Sequence, residues 1–125
     1  MSQTVPRILV VDDDPDIRGV IREFLEPDGY EVRLAADGQE ALGILGAEGV
    51  DLVLTDLVMP DHEGIETILE IRRRYPTVKT VAMSGAFYGP YLHAAELLGA
   101  DATLSKPINS SLLRLTLQQV LAGAR

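Results

Sequence analysis

Short apolar runs alternate with longer amphipathic stretches along the whole chain, and this alternation constrains the fold more than any other feature. Ile8-Leu-Val-Val11 is a continuous run of apolar, mostly β-branched residues, as expected of a strand buried on both faces. Tyr30 to Ala35, Asp51 to Asp56, Val78 to Met83 and Ala102 to Ser105 read as four further strands. Between the first two, Asp14 and Pro15 supply the cap and first turn of a helix. Its Ile17, Val20, Ile21, Phe24 and Leu25 recur at the spacing of one helix face, and Pro27-Asp-Gly29 stops it. Asp37 and Glu40 have capping-box spacing and open a second helix expected to bury Ala41, Ile44 and Leu45, with Gly49 ending the segment. Ile65, Ile68, Leu69 and Arg72 are expected to share a face of the third helix. Arg72, Arg73 and Arg74 lie near its C-terminus, where cations suit the helix dipole. Tyr91 to Leu98 reads as a short fourth helix stopped by Gly99, and Asn109 caps a final one running to about Ala122.

Five strands and five helices in strict alternation predict an α/β protein with a parallel sheet covered by helices on both faces. Right-handed crossovers make this a doubly wound arrangement. Such sheets bind ligands beyond the carboxyl ends of the strands, near the point where strand order reverses. The chain has 125 residues, enough for one domain with its own core. Met1 and a helix ending near the terminus lead us to expect a single domain over residues 1–125 with no output domain. Without cysteine there is no disulfide or thiolate chemistry to invoke. A formal net charge of -8 argues against nucleic acid and against an anionic membrane surface, both of which need clustered Lys and Arg. It suits a divalent cation or a basic protein partner. The run from Ile8 to Val11 is too short for a signal or transmembrane segment, which makes the cytoplasm the expected location.

The strand ends carry the chemistry. Strand one ends in Asp12-Asp13-Asp14, strand three in Asp56, strand four in Ser84 and strand five in Lys106-Pro107. The topology brings all of them to one edge of the sheet. Carboxylates this close raise one another's pKa and work against folding unless offset. A hard divalent cation offsets them, and carboxylate oxygen is what magnesium prefers; Lys106 adds one further positive charge. A carboxylate can attack phosphorus and form an aspartyl phosphate, a transfer that needs positive charge around the phosphoryl oxygens and little else. Asp56, alone at its strand end, is the better nucleophile candidate, whereas Asp12 and Asp13 form a pair suited to metal. The Ser84 hydroxyl can reach a phosphoryl oxygen.

With these residues in hand, the chain resembles the response-regulator receiver domains of two-component signalling, in their stand-alone, chemotaxis-regulator form. The resemblance rests on Ile8-Leu-Val-Val-Asp-Asp-Asp-Pro15, Asp56-Leu-Val-Met-Pro60 with Gly64, Met83-Ser-Gly85, and Gly99-Ala-Asp101 followed by Lys106-Pro107, and it spans essentially the whole chain. Each motif alone is weak, but the four in order are specific. The resemblance implies a flavodoxin-like (βα)5 fold with strand order 2-1-3-4-5. It implies that Asp56 accepts a phosphoryl group and ligates Mg²⁺, that Asp13 is a direct ligand and Asp12 acts largely through water, and that the Val58 carbonyl supplies another ligand. Ser84 matches the switch hydroxyl, Lys106 the phosphate-contacting lysine, and the Lys106-Pro107 bond is often cis in this family. The implied partners are a histidine kinase or a histidine phosphotransfer protein and a downstream protein that reads the surface of helix 4, strand 5 and helix 5. A homodimer through that surface is a further expectation. The implied role is that of a phosphoacceptor catalysing its own phosphorylation and dephosphorylation rather than of an enzyme acting on an external substrate.

Other readings compete with this one. A magnesium-dependent phosphohydrolase would need a lid to enclose its substrate, and the loops are short. A flavodoxin-type cofactor module or a Gly-rich nucleotide loop would need something other than three aspartates after strand one. A pseudo-receiver that is never phosphorylated usually loses an acidic residue or the lysine. Taken singly, the residues have blander readings: acidic runs are usually solvated surface, an Asp ending a strand is usually a turn former, and Ser-Gly and Lys-Pro pairs are common loops. His62 and His93 read as surface residues and Met83 as core. On the last helix Leu113, Leu117, Val120 and Leu121 make a core face, with Leu112 and Leu115 off it as a second apolar stripe. Thr103 stands where the family often has a Tyr or Phe, three residues before the lysine, with Phe87, Tyr88 and Tyr91 nearby as substitutes. Val58 cannot orient a hydrolytic water as a polar side chain could. The aspartyl phosphate should therefore not be unusually short-lived, and a time course of dephosphorylation that showed very fast loss would contradict this.

Overall fold

A computed structural model describes residues 5–57, 63–85, 93–96 and 98–123. The elements follow in the order β1 (Arg7–Val11), α1 (Pro15–Leu25), β2 (Glu31–Ala35), α2 (Gly38–Ala47), β3 (Leu52–Asp56), α3 (Glu63–Arg74), β4 (Lys79–Ser84), α4 (helical over residues 93–96), β5 (Ala102–Ser105) and α5 (Ser110–Leu121). All strand pairs are parallel, in the order β2-β1-β3-β4-β5. This is the expected α/β, doubly wound, five-stranded sheet. The start of the fourth helix at Tyr91, together with Phe87, Tyr88, His62 and Val58, lies outside the described residues.

Alternation along the strands sorts the core into two sides. Ile8, Val10, Leu52, Leu54, Val81, Met83 and Leu104 pack with Ile21 and Leu25 of α1 and Leu113, Leu117 and Val120 of α5. Leu9, Val11 and Val53 face the other way, against Ala41 and Leu45 of α2 and Ile71 of α3. Ala82 packs there with Ile68 of α3 and Ala95 of α4. Helices α1 and α5 therefore cover one face and α2, α3 and α4 the other, and the central strands are apolar on both sides because both are covered. Among the described residues no helix is long and apolar enough to cross a membrane.

The caps behave as the sequence implies. Asp14 accepts from the Asp16 amide at 2.9 Å, with Pro15 opening α1. Asp37 accepts from the Glu40 amide at 2.8 Å, and the Glu40 carboxylate reaches back to the Ala36 amide at 2.7 Å, one residue beyond the usual capping box. Asn109 caps α5 through the Leu112 amide at 2.9 Å. After α1 a single 3-10 turn, Glu26–Asp28, ends on Gly29 at a φ of 93°, a left-handed conformation that favours glycine.

Helix facing differs from expectation in two places. Val20 is 44% exposed, so the buried stripe of α1 centres on Ile21 and Leu25. In α3 the expected stripe of Ile65, Ile68, Leu69 and Arg72 is met only in part: Ile68 is buried and Ile65 packs half-buried beside it, but Leu69 is 43% exposed and Arg72 is exposed, and the buried positions are Gly64, Thr67, Ile68 and Ile71. Both sets obey the i, i+3, i+4, i+7 rule. The choice between them comes from Gly64, where an added Cβ would overlap the Asp56 carbonyl oxygen and the Leu57 Cα. With hydrogen in that place the first turn of α3 lies directly on the end of β3, and this contact sets the roll of the helix. In α5 the expected face holds: Leu113, Leu117 and Val120 are buried, Leu121 is half-buried, and Leu112 and Leu115 are exposed.

The register of α3 yields a prediction. Ile71→Ala should cost about 2–5 kcal/mol, and Leu69→Ala no more than about 0.5 kcal/mol. Urea denaturation of the two variants measures both, and comparable losses would contradict the facing described here.

Candidate phosphoryl-acceptor and metal site

Register decides which side chains meet. Ile8 pairs with Leu52 and Val11 with Thr55, so Asp12, one residue past β1, stands level with Asp56 at the end of β3. Asp56 pairs with Met83, and Ser84 pairs with Ser105, so Ser84 and Lys106 come to the same edge. The Lys106 amide donates to the Ser84 carbonyl at 2.7 Å. Asp12, Asp56 and Lys106 also continue the same side-chain parity as Ile8-Val10, Leu52-Leu54 and Leu104, the side that faces α1 and α5. Thus three charged groups from three strands arrive above one half of the core.

Their contacts are close. The Lys106 ammonium lies 2.7 Å from Asp12 Oδ2 and 3.2 Å from Asp56 Oδ2. Asp12 is fully buried and Asp56 nearly so, whereas Asp13 is exposed. One carboxylate oxygen from each of Asp12, Asp13 and Asp56 lies within 4.8 Å of the others. Asp12 also accepts from the Asp14 amide through Oδ1 at 2.9 Å, its own amide donates to the Ala35 carbonyl at 3.1 Å, and its carbonyl accepts from Arg18 Nη1 at 2.6 Å. The Lys106-Pro107 bond is cis.

Burial acts to lower the pKa of the Lys106 ammonium. The hydrogen bond and charge of Asp12, followed by those of Asp56, outweigh it and raise the value above the usual 10.5. One cation nevertheless faces three carboxylates, which leaves an excess of negative charge in a partly desolvated site. The donor set is entirely hard oxygen, and this is the kind of cluster that suits a divalent cation. Ser84 adds a second feature that fits an oxygen-bearing ligand: its Oγ is buried and, among the described residues, has no hydrogen-bond partner. Leaving a buried hydroxyl unsatisfied costs roughly 1–3 kcal/mol, and an incoming oxygen would remove that cost.

The structure therefore brings Asp12, Asp13, Asp56 and Lys106 together and carries Ser84 to the same edge. The Val58 carbonyl lies outside the described residues. Thr103 is half-buried on β5, and His93 is exposed, 3.9 Å from Glu96. Arg18 was not legible as a site residue. The available signal was a cation in the first turns of a helix that follows an acidic loop, a place the helix dipole disfavours.

The fold and this acidic edge define a doubly wound α/β module with a carboxylate–lysine cluster at the carboxyl ends of its strands, and comparison with known proteins gives the family. Residues 8–118 match the family model described as "Response regulator receiver domain". The transcriptional regulatory protein CpxR of Klebsiella pneumoniae is 36% identical over 116 residues, covering 92% of this chain and 49% of CpxR. An uncharacterized 14.6 kDa protein of Leptolyngbya boryana is 36% identical over 118 residues, covering 92% of this chain and 90% of that one. The CheY-like response regulator receiver domain protein of Methanospirillum hungatei superposes with a TM-score of 0.89 at 32% identity, covering 96% of each chain. The chain belongs to the response-regulator receiver domain family of two-component signalling. It spans about half the length of CpxR.

The raised Lys106 pKa carries a pH dependence. A group whose pKa is higher in the folded state stabilises fully below its unfolded value and loses that contribution as pH climbs through the folded value. The stability difference between wild type and Lys106→Met should be constant from neutral pH to 10.5 and shrink above it. Denaturant titrations at stepped alkaline pH, in metal-free buffer, test this; a difference unchanged across that range would contradict the ion pairs described here.

Proposed function

We propose that this domain accepts a phosphoryl group on the Asp56 carboxylate, from a phosphohistidine of a histidine kinase or a histidine phosphotransfer protein, and that phosphorylation switches a protein-binding surface. The observation that supports this most is the Lys106 ammonium held between Asp12 and Asp56, with a buried Ser84 hydroxyl at the end of neighbouring β4 that has no hydrogen-bond partner among the described residues. Asp12, Asp13 and Asp56 would hold Mg²⁺, joined by the Val58 carbonyl if the family pattern carries over. When bound, Mg²⁺ supplies Lewis-acid charge for the phosphoryl oxygens and a template for the donor.

The chain's own residues have separable roles. Asp56 presents a carboxylate oxygen as nucleophile from the rigid end of a fully buried strand. Lys106 neutralises part of the charge on the acceptor before transfer and is placed to follow the phosphoryl oxygens afterwards. The Ser84 hydroxyl donates to one of those oxygens and gains the partner it lacks. Ser84 and Lys106 sit at the ends of β4 and β5, so a phosphoryl group that engages both biases the loops that follow those strands. The exposed Leu112 and Leu115 of α5 are the apolar part of the surface this would present to a downstream protein or a second copy. The cytoplasm, where such kinases present their phosphohistidine, is the proposed location. Residues 1–125 are proposed to work as one receiver domain.

Intact mass after incubation with acetyl phosphate tests the reaction. Wild type with Mg²⁺ should gain one phosphoryl mass, and neither the metal-free protein nor Asp56→Asn should gain any. Ser84→Ala should still be labelled, at a rate lower by about 10²-fold, the usual cost of losing one donor to the transferring group. Labelling of Asp56→Asn equal to wild type would remove Asp56 as the acceptor.

A further inference from the structure

Asp13 is the exposed member of the acidic cluster, so its own burial does not hold it in place. What holds it is the backbone on either side. The peptide before it is fixed through the Asp12 carbonyl, which accepts from Arg18 Nη1 at 2.6 Å. The peptide after it is fixed through the Asp14 amide, which donates to Asp12 Oδ1 at 2.9 Å. Upstream, the Asp12 amide donates to the Ala35 carbonyl at 3.1 Å. Asp12 and Asp14 supply their own share of this frame from the acidic loop itself. Among the described residues, Arg18 supplies the α1 side chain that bonds the peptide before Asp13, and it crosses back over the helix start to do so.

The placement of Arg18 is costly by local rules. It is the fourth residue of α1, near the positive end of the helix dipole, where cations are disfavoured. Among the described residues it has no carboxylate partner, in a chain with 19 Asp and Glu. Its side chain is half-buried, and its one side-chain hydrogen bond among the described residues goes to the Asp12 carbonyl. A purely solvated surface arginine would have neither the burial nor the directed bond.

We infer that Arg18 is a positioning residue that pre-orients the Asp13 carboxylate for a divalent cation by pinning the peptide between Asp12 and Asp13. The inference rests on the proposed reading of the cluster as a Mg²⁺ site. Arg18 touches neither metal nor phosphoryl group; it acts through the backbone, and it does so against its own charge. A cation this near the cluster repels a second one, so removing the charge alone should tighten Mg²⁺ binding. Removing the pin should loosen it. The two effects have opposite signs, and this makes the inference decidable.

The experiment titrates Mg²⁺ into wild type, Arg18→Met and Arg18→Lys, reading affinity by calorimetry and by the amide NMR shifts of Asp13 and Asp14. Amide hydrogen exchange at Asp14 is followed in parallel without metal. Arg18→Met should bind Mg²⁺ about 10-fold more weakly, the lower end of what losing an outer partner of a metal ligand costs. Its Asp14 amide should also exchange faster than in wild type. Arg18→Lys keeps the charge and one donor and should recover part of the loss; it also serves if the Met variant fails to fold. Equal or tighter binding by a folded Arg18→Met, or equal affinity and exchange in both variants and wild type, overturns the inference and leaves the functional reading standing. Absence of Mg²⁺ binding by wild type overturns that reading and this inference with it.

Discussion

The rest of the site depends on the Lys106 ammonium lying between the Asp12 and Asp56 carboxylates. Without it, two nearly buried carboxylates would stand at adjacent strand ends with no protein cation between them, a situation that burial and mutual repulsion both penalise. Three elements far apart in sequence must therefore be in register before any one of the charges is tolerable. The apolar strands supply that register: Ile8, Val10, Leu52, Leu54 and Leu104 pack on one side of the sheet, and the charged residues follow them in the same alternation. Core packing and site geometry here have one cause, read at different heights along the same strands.

The lysine does not complete the site. It neutralises one charge of three, and among the described residues the buried Ser84 hydroxyl has no hydrogen-bond partner. A fold that maximised its stability would have replaced one of these groups. Keeping them leaves an excess of negative charge and a buried hydroxyl at one end of the sheet, and local frustration of this kind is expected where function requires it. The close approach of Gly64 to the Asp56 and Leu57 backbone belongs to the same construction, because it lets the first turn of α3 brace the strand end that carries Asp56.

The second sheet edge is fastened by different means. The Asp101 carboxylate accepts from the Thr80 amide at 2.8 Å, and its own amide donates to the Thr80 carbonyl at 2.8 Å, tying the start of β5 to β4. Gly99, at a φ of 102°, lies against the Arg72 guanidinium, which donates to its carbonyl at 2.8 Å. These contacts explain the Gly99-Ala-Asp101 segment without any part in the chemistry. They also place β5 so that Lys106, five residues on from Asp101, reaches the acidic pair at the opposite end of the sheet.

Much of this was legible in the amino-acid sequence, because periodicity and capping are local. The alternation of strands and helices, the caps at Asp14, Asp37 and Asn109, and the presence of Asp12, Asp13, Asp56, Ser84 and Lys106 at strand ends all follow from residue types and spacing. The exposed Leu112 and Leu115 were legible for the same reason. The roll of a helix was not. Ile65-Ile68-Leu69-Arg72 and Gly64-Thr67-Ile68-Ile71 are equally periodic, and the apolar count favours the first, but a glycine contact made across 7 residues selects the second. Nor could spacing show that Arg18 turns back to the Asp12 carbonyl, or that the Ser84 hydroxyl is buried with no hydrogen-bond partner among the described residues. Those are statements about which groups remain unsatisfied once every neighbour is in place, and only the assembled tertiary structure decides them.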